Sequence, residues 1–206
     1  MSAHTITTVA DLVAYYGETN PISLTKEVPQ LTAPYRQMIA ASPFVALAST
    51  GPEGLDVTPR GDPKGFVDII DDKTLALPDR RGNNRIDTLK NIVRDPRVAL
   101  LFLIPGVNET LRVNGRAVIS IEPKLLQRYA IDGKEPRSVV LITIDAVYFQ
   151  CARALVRSKL WDPAQNADRA SLPTAGQMTR AADATQSFDD KAYDAALPAR
   201  QAATLY

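Results

Sequence analysis

Residues 74–102 read TLALPDRRGNNRIDTLKNIVRDPRVALLF, and their pattern organises the rest of the chain. Thr74 to Leu77 is a short apolar strand. Pro78-Asp79-Arg80-Arg81-Gly82-Asn83-Asn84-Arg85 follows as a basic loop with Pro and Gly breaking regular structure. Asn84 to Arg94 then carries Ile86, Leu89, Ile92 and Val93 at helical spacing. Asn84 with Asp87 predicts a capping box at the start of that helix, and Asp95-Pro96 ends it. Arg97 to Ile104 is a nearly continuous apolar run, expected to be a strand covered on both faces.

Upstream, Phe44 to Ser49 and Leu55 to Thr58 flank the turn Gly51 to Gly54 as a hairpin. Phe66 to Ile70 pairs with the strand at Thr74 across Asp71-Asp72-Lys73. Downstream, Thr110 to Ile121 is a long strand in which Gly115 predicts a bulge, and Val139 to Phe149 is the last strand. Helices are expected at Thr8 to Tyr16 (stopped by Gly17), Pro34 to Ala41 (Met38 and Ile39 inward) and Pro123 to Ala130. Beyond Trp161, Ala, Asp, Gln, Arg and Thr dominate, and Ser171 to Ala184 and Phe188 to Leu205 suit amphipathic helices or an arm. The pattern predicts a mainly β fold: an antiparallel barrel of about six strands with peripheral N- and C-terminal helices. Three regions are expected: a helical arm at 1–33, the barrel at 34–163 and a helical extension at 164–206, packed on the barrel or a partner subunit.

The 206 residues carry a formal net charge of +1, which gives no general attraction to nucleic acid or an anionic membrane. No apolar run reaches the length of a bilayer span, and Met1 to Thr8 lacks a secretory pattern, so a cytoplasmic protein is expected. The one histidine, His4, and one cysteine, Cys151, leave no basis for a Ser-His-Asp triad, a zinc site or an internal disulfide. Cys151 is expected to be a small buried residue. With so few groups for acid-base or covalent work, a borrowed cofactor is the more economical source of chemistry.

Three clusters carry binding chemistry. The loop at 78–85 offers backbone N–H groups at a helix N-terminus with Arg80, Arg81 and Arg85 beside them, which suits a phosphate. Asp56 to Gly65 leaves a strand with Arg60 and Lys64 able to reach one ligand. Cys151 to Trp161 follows the last strand with Arg153, Arg157, Lys159 and the only tryptophan, a planar wall for an aromatic ligand or a hydrophobic lid.

Together, Pro59-Arg60-Gly61-Asp62, Gly82-Asn83-Asn84-Arg85, the Asp95 to Phe102 junction and Cys151 to Trp161 resemble the FMN-binding split-barrel proteins related to pyridoxamine 5'-phosphate oxidase, over about Pro34 to Pro163. The resemblance implies a six-stranded split barrel and a homodimer with FMN at the subunit interface. It places Arg60 and Lys64 near the isoalloxazine or the phosphate, and Asn84 and Arg85, with Arg80 or Arg81, at the phosphate and ribityl chain. Arg157, Ser158 and Trp161 would come from the neighbouring subunit. The true oxidases carry an Arg-x-His-type substrate motif after a Trp; here Asp162-Pro163 follows, and vitamin B6 oxidation is not carried over.

These readings imply an FMN-dependent oxidoreductase whose partner is a small-molecule substrate or nicotinamide donor, with no catalytic acid assigned. A flavin-binding or sensing protein without turnover, and a deazaflavin F420-dependent reductase of the same fold, are the alternatives. Haem is disfavoured because no core histidine exists to ligate it.

Overall fold

A computed structural model describes residues 4–185 and 187–206; residues 1–3, the start of the expected N-terminal arm, lie outside the described residues. In chain order the elements are α1 (Val9–Tyr16), α2 (Pro21–Thr25), α3 (Ala33–Ala41), β1 (Phe44–Gly51), β2 (Gly54–Gly61), β3 (Asp68–Ile69), β4 (Thr74–Asp79), α4 (Asp87–Arg94), β5 (Arg97–Leu103), β6 (Thr110–Ser120), α5 (Pro123–Arg128), β7 (Ser138–Gln150), α6 (Arg153–Ser158), α7 (Ala175–Ala182) and α8 (Asp190–Ala203). The architecture is mainly β with peripheral helices, as the pattern predicts. The sheet has seven strands in the order β2-β1-β5-β6-β7-β4-β3, every neighbour antiparallel. The barrel expected from about six strands has a seventh because the segment expected at Phe66 to Ile70 forms β3, only two residues long and paired only to β4.

The sheet curls around one apolar core. Leu47, Leu75, Leu100, Phe102, Leu111, Val113, Val140 and Ile142 are buried within it, each at the inward position of its strand. Gly115 sits where the β6–β7 register shifts, and a Cβ there would lie 2.2 Å from the Thr143 carbonyl oxygen. The expected bulge is therefore present, and only glycine fits that approach of backbone to backbone.

One strand-level expectation changes. β5 is covered on one face only: Val98, Leu100 and Phe102 are buried, while Ala99, Leu101 and Leu103 are half-buried. The cause is the pleat, which sends alternate side chains outside the barrel. The register puts those residues on one outer face with Phe44, Ala46 and Ala48 of β1 and Leu55, Val57 and Pro59 of β2. Leu55 is 88% exposed and Val57 66%, so this face is apolar and uncovered in a single chain.

Helix α4 also seats itself differently. Ile92 is buried, but Val93 is exposed, and the buried positions beside Ile92 are Thr88 and Asn91. Thr88 donates to Asp56 (2.6 Å), and Asn91 donates to Ser49 (3.1 Å). A Cβ at Gly51 would lie 2.2 Å from Asn91 Oδ1, so the helix approaches the end of β1 closely enough for side-chain hydrogen bonds to replace apolar packing.

Candidate functional site

The sheet brings its ends together through side chains. β2 is one edge of the strand order and β4 lies near the other, yet Arg60 of β2 forms an ion pair with Asp79 of β4. Immediately beyond, Arg80 Nε donates to Asp62 Oδ2 at 2.9 Å. These two crossed pairs bridge the split in the barrel. Pro78 explains why the gap stays open: β3 pairs with β4 only as far as Ala76, and a proline at 78 has no N–H to extend the ladder.

A cleft of about 340 Å³ lies along this split, within the range of small-molecule sites. Arg60, Arg80, Arg81, Asn84 and Arg85 all line it, with Phe66, Ile86, Leu89, Ser138 and a fifth arginine, Arg137. The aspartates in the lining are Asp62 and Asp79, so positive charge is in excess.

The five arginines are in different states. Arg60 is held by Asp79, and its Nε is buried without a hydrogen-bond partner among the described residues. Arg80 is held by Asp62 and donates to the Tyr129 carbonyl oxygen at 2.6 Å. Arg85 is 81% exposed and donates to Asp87 at 2.6 Å, a bond that raises its already high pKa further. Among the described residues, Arg81 and Arg137 make no side-chain ion pair or hydrogen bond, and both are exposed at the cleft.

The loop geometry corrects one expectation. The helix begins at Asp87 rather than Asn84, and Asn84 does not cap it: Asn84 adopts φ 58°, in the left-handed region that asparagine tolerates. Asn83 Oδ1 accepts instead from Arg85 N at 3.0 Å, a local turn. The N-cap position of α4 falls to Ile86, which offers no side-chain acceptor. The first-turn N–H groups therefore lack a capping side chain at the edge of the cleft.

Lys64 does not line this cleft. It lines an adjoining one of about 220 Å³, which shares Asp62, Phe66, Pro78 and Arg80 with the first. Arg157, Ser158 and Trp161 do not line either cleft within one chain. Trp161 Nε1 donates to the Val107 carbonyl oxygen at 2.8 Å, in the loop between β5 and β6, and Ser158 bonds back to Leu155. Cys151 is exposed, contrary to expectation, because β7 ends at Gln150 and Cys151 lies beyond its last ladder pair. Arg137 is the lining cation that sequence reasoning missed. It precedes β7 in what reads as a charged turn, and only the antiparallel pairing of β7 with β4 carries it to the loop, with Arg137 N donating to the Asp79 carbonyl oxygen at 3.0 Å.

The chain belongs to the pyridoxamine 5'-phosphate oxidase family: that family's model matches residues 31–151, more than half of its length, and the fold is the family's split barrel. Among solved structures it is similar to HupZ from group A Streptococcus, at 18% identity over 58% of this chain and 93% of that one, TM-score 0.47. It is also similar to an FMN-binding protein from Syntrophomonas wolfei, at 11% identity over 69% and 97%, TM-score 0.43. A third similar structure is an FAD-binding protein from Mycobacterium smegmatis, at 13% identity over 60% and 97%, TM-score 0.41. No curated protein matches the chain. No helix among the described residues is long and apolar enough to cross a membrane, and none of them cluster as metal ligands.

Proposed function

We propose that the chain is an FMN-binding oxidoreductase that works as a homodimer, with the cleft at the barrel split holding the flavin. The observation that carries this is the charge state of the cleft: its arginines outnumber its aspartates, and among the described residues Arg81 and Arg137 have no side-chain partner. Unneutralised guanidinium groups beside uncapped helix N–H groups suit a phosphate monoester. Arg81 and Arg137 take its oxygens, with Arg85 and Asn84 at the outer rim. Arg80, already committed to Asp62 and the Tyr129 carbonyl oxygen, shapes the wall.

The residues present fit a flavin at a second point. Arg60 Nε is a buried donor without a partner among the described residues, and such a group costs about 1–3 kcal/mol unless something accepts from it. A flavin ring edge, rich in acceptors, supplies that acceptor. Arg60 then places fixed positive charge beside the ring, and Asp79 keeps the guanidinium from turning away. When bound, the flavin supplies hydride exchange with a small-molecule substrate or nicotinamide donor.

The dimer follows from the uncovered outer face of β2, β1 and β5, where Leu55, Val57, Leu101 and Leu103 form an apolar surface. A partner seated on it can bring its own Arg157, Ser158 and Trp161 towards the cleft. Residues 34–163 are the flavin-binding unit in this proposal, with 1–33 and 164–206 as arms.

Reconstitution decides the cofactor. FMN is expected to bind at least tenfold more tightly than riboflavin, the margin of one charge-assisted contact. Equal affinity for the two removes the phosphate site. Bleaching of the bound flavin by a reduced nicotinamide supports the oxidoreductase; a flavin that no donor reduces makes the protein a binder without turnover.

A further inference from the structure

The segment beyond the barrel returns to the cleft at one residue. Helices α7 and α8 pack on each other. Arg180 pairs with Asp190 at 3.1 Å, and Gly176 N donates to Asp194 Oδ1 at 2.8 Å. A Cβ at Gly176 would lie 2.4 Å from the Asp190 carbonyl oxygen, so the two helices meet at backbone distance. This hairpin delivers Tyr206, three residues past α8, to the barrel. The Tyr206 hydroxyl donates to Asp62 Oδ1 at 2.8 Å, and its ring lies 5.8 Å from the Arg80 guanidinium carbon. Apart from the local turn bonds of Ala164, Gln165 and Asn166 to Asp162 and Pro163, no other hydrogen bond among the described residues ties 164–206 to the barrel.

Asp62 is the pivot. Its side chain is 5% exposed, and its two oxygens are divided: Oδ2 takes Arg80 Nε, and Oδ1 takes the Tyr206 hydroxyl. Arg80 spends a further donor on the Tyr129 carbonyl oxygen. Asp62 and Arg80 belong to the wall shared by both clefts. A carboxylate bonded through one oxygen can rotate about its terminal torsion, which is soft. A carboxylate bonded through both cannot, and neither can the guanidinium it holds.

We infer that Tyr206 is a positioning residue for the cleft: its hydroxyl fixes the Asp62 carboxylate, which fixes the Arg80 guanidinium in the partition between the two clefts. The ring packed over Arg80 adds a cation–π contact to the same group. The bond to Asp62 also holds the phenol above its ordinary pKa, so Tyr206 remains a donor at neutral pH. The residues 164–206 thereby set the shape of a site built by β2 and β4.

The test uses the full, flavin-free chain labelled with ¹⁵N-arginine, reading hydrogen exchange at Arg80 Nε–H. The resonance is assigned by its loss in Arg80→Lys. Tyr206→Phe keeps the ring and removes the hydroxyl, and exchange at Arg80 is expected to quicken about tenfold, the margin of one hydrogen bond to a charged group. Tyr206→Ala quickens it further. Arg97 Nε–H, bonded to Asp95, is the internal reference and does not change, which separates positioning from general loosening. In an Asp62→Asn background, Tyr206→Phe is expected to have no additional effect. Unchanged exchange in Tyr206→Phe, or an effect that persists without the Asp62 carboxylate, overturns the inference. Its functional arm rests on the FMN reading: Tyr206→Phe weakens FMN and riboflavin alike, since it disturbs the wall and not the phosphate. If the wild type takes no flavin, the FMN reading falls, and Arg80 exchange still judges Tyr206.

Discussion

Strand β4 and the loop that follows it are neighbours in sequence and opposites in what they do with polar groups. From Leu75 to Asp79 every residue is buried, and the one charge, Asp79, is paired with Arg60. From Arg81 to Ile86 every residue is exposed, and Arg81 is paired with nothing described. The strand satisfies itself within the chain; the loop leaves charge over. The difference separates residues whose loss unfolds the barrel from residues whose loss empties the cleft.

The largest expected effect lies on the strand side. Leu77 is 1% exposed in the core, so Leu77→Ala is expected to destabilise the fold by about 2–5 kcal/mol. Chemical denaturation measures it, and the folded fraction should keep the wild-type preference for FMN over riboflavin. A specific loss of FMN preference in Leu77→Ala breaks the division between the two regions.

On the loop side, Arg81→Ala and Arg137→Ala are each expected to weaken FMN binding roughly ten- to a hundredfold, leave riboflavin unchanged, and shift stability by no more than about 0.5 kcal/mol. Titration calorimetry with both ligands checks all three statements. The shared-site proposal sharpens this further. Mixing Arg81→Ala chains with Trp161→Ala chains creates heterodimers with one doubly impaired and one intact site. Tight FMN binding should reappear in about half of the heterodimer's sites; none, despite proven subunit exchange, places both residues at one chain's site or takes one of them away from the ligand.

Arg85 should respond less. It is 81% exposed and already bonded to Asp87, so Arg85→Ala is expected to weaken FMN by less than about tenfold, since an exposed and partnered charge contributes little. A loss equal to that of Arg81→Ala would mean that Arg85 leaves Asp87 for the ligand.

The smallest effect is a pH dependence at the far end of α4. Hydrogen bonds from Arg97 hold the Asp95 carboxyl at about 2, below its ordinary 3.8. A depressed folded-state pKa means that Asp95 contributes its stability fully above about pH 4 and loses it as pH falls towards 2. Asp95→Asn is therefore expected to flatten a small part of the acid limb of the stability curve, leaving neutral-pH flavin binding unchanged. An acid limb identical to wild type would show that the exposed pair carries no measurable stability.

Much of the segment from 74 to 102 was legible beforehand because local pattern governs it: short apolar runs mark β4 and β5, and Asp95-Pro96 marks the junction. The start of α4 was not legible. Asn84 and Asp87 have the spacing of a cap, but an asparagine that also tolerates left-handed backbone can serve the turn instead, and here it does. The seat of α4 was missed for a related reason. Thr88 and Asn91 look like surface residues until Asp56 and Ser49 arrive from the β1–β2 hairpin to bond them.

The sequence alone determined where the strand segments fall, the bulge at Gly115, the scarcity of histidine and cysteine that argues for a borrowed cofactor, and a basic loop between a strand and a helix. Tertiary structure alone decided which of the basic residues are spoken for. Arg60 meets Asp79 and Arg80 meets Asp62 across 19 and 18 residues, Arg137 arrives through the β4–β7 register, and Tyr206 reaches Asp62 across 144 residues. Backbone periodicity is a local property, written into each stretch by what one pleated or helical face must bury. The neutralisation of a charge depends on which distant carboxylate the closing sheet carries within reach, and no local pattern encodes that distance.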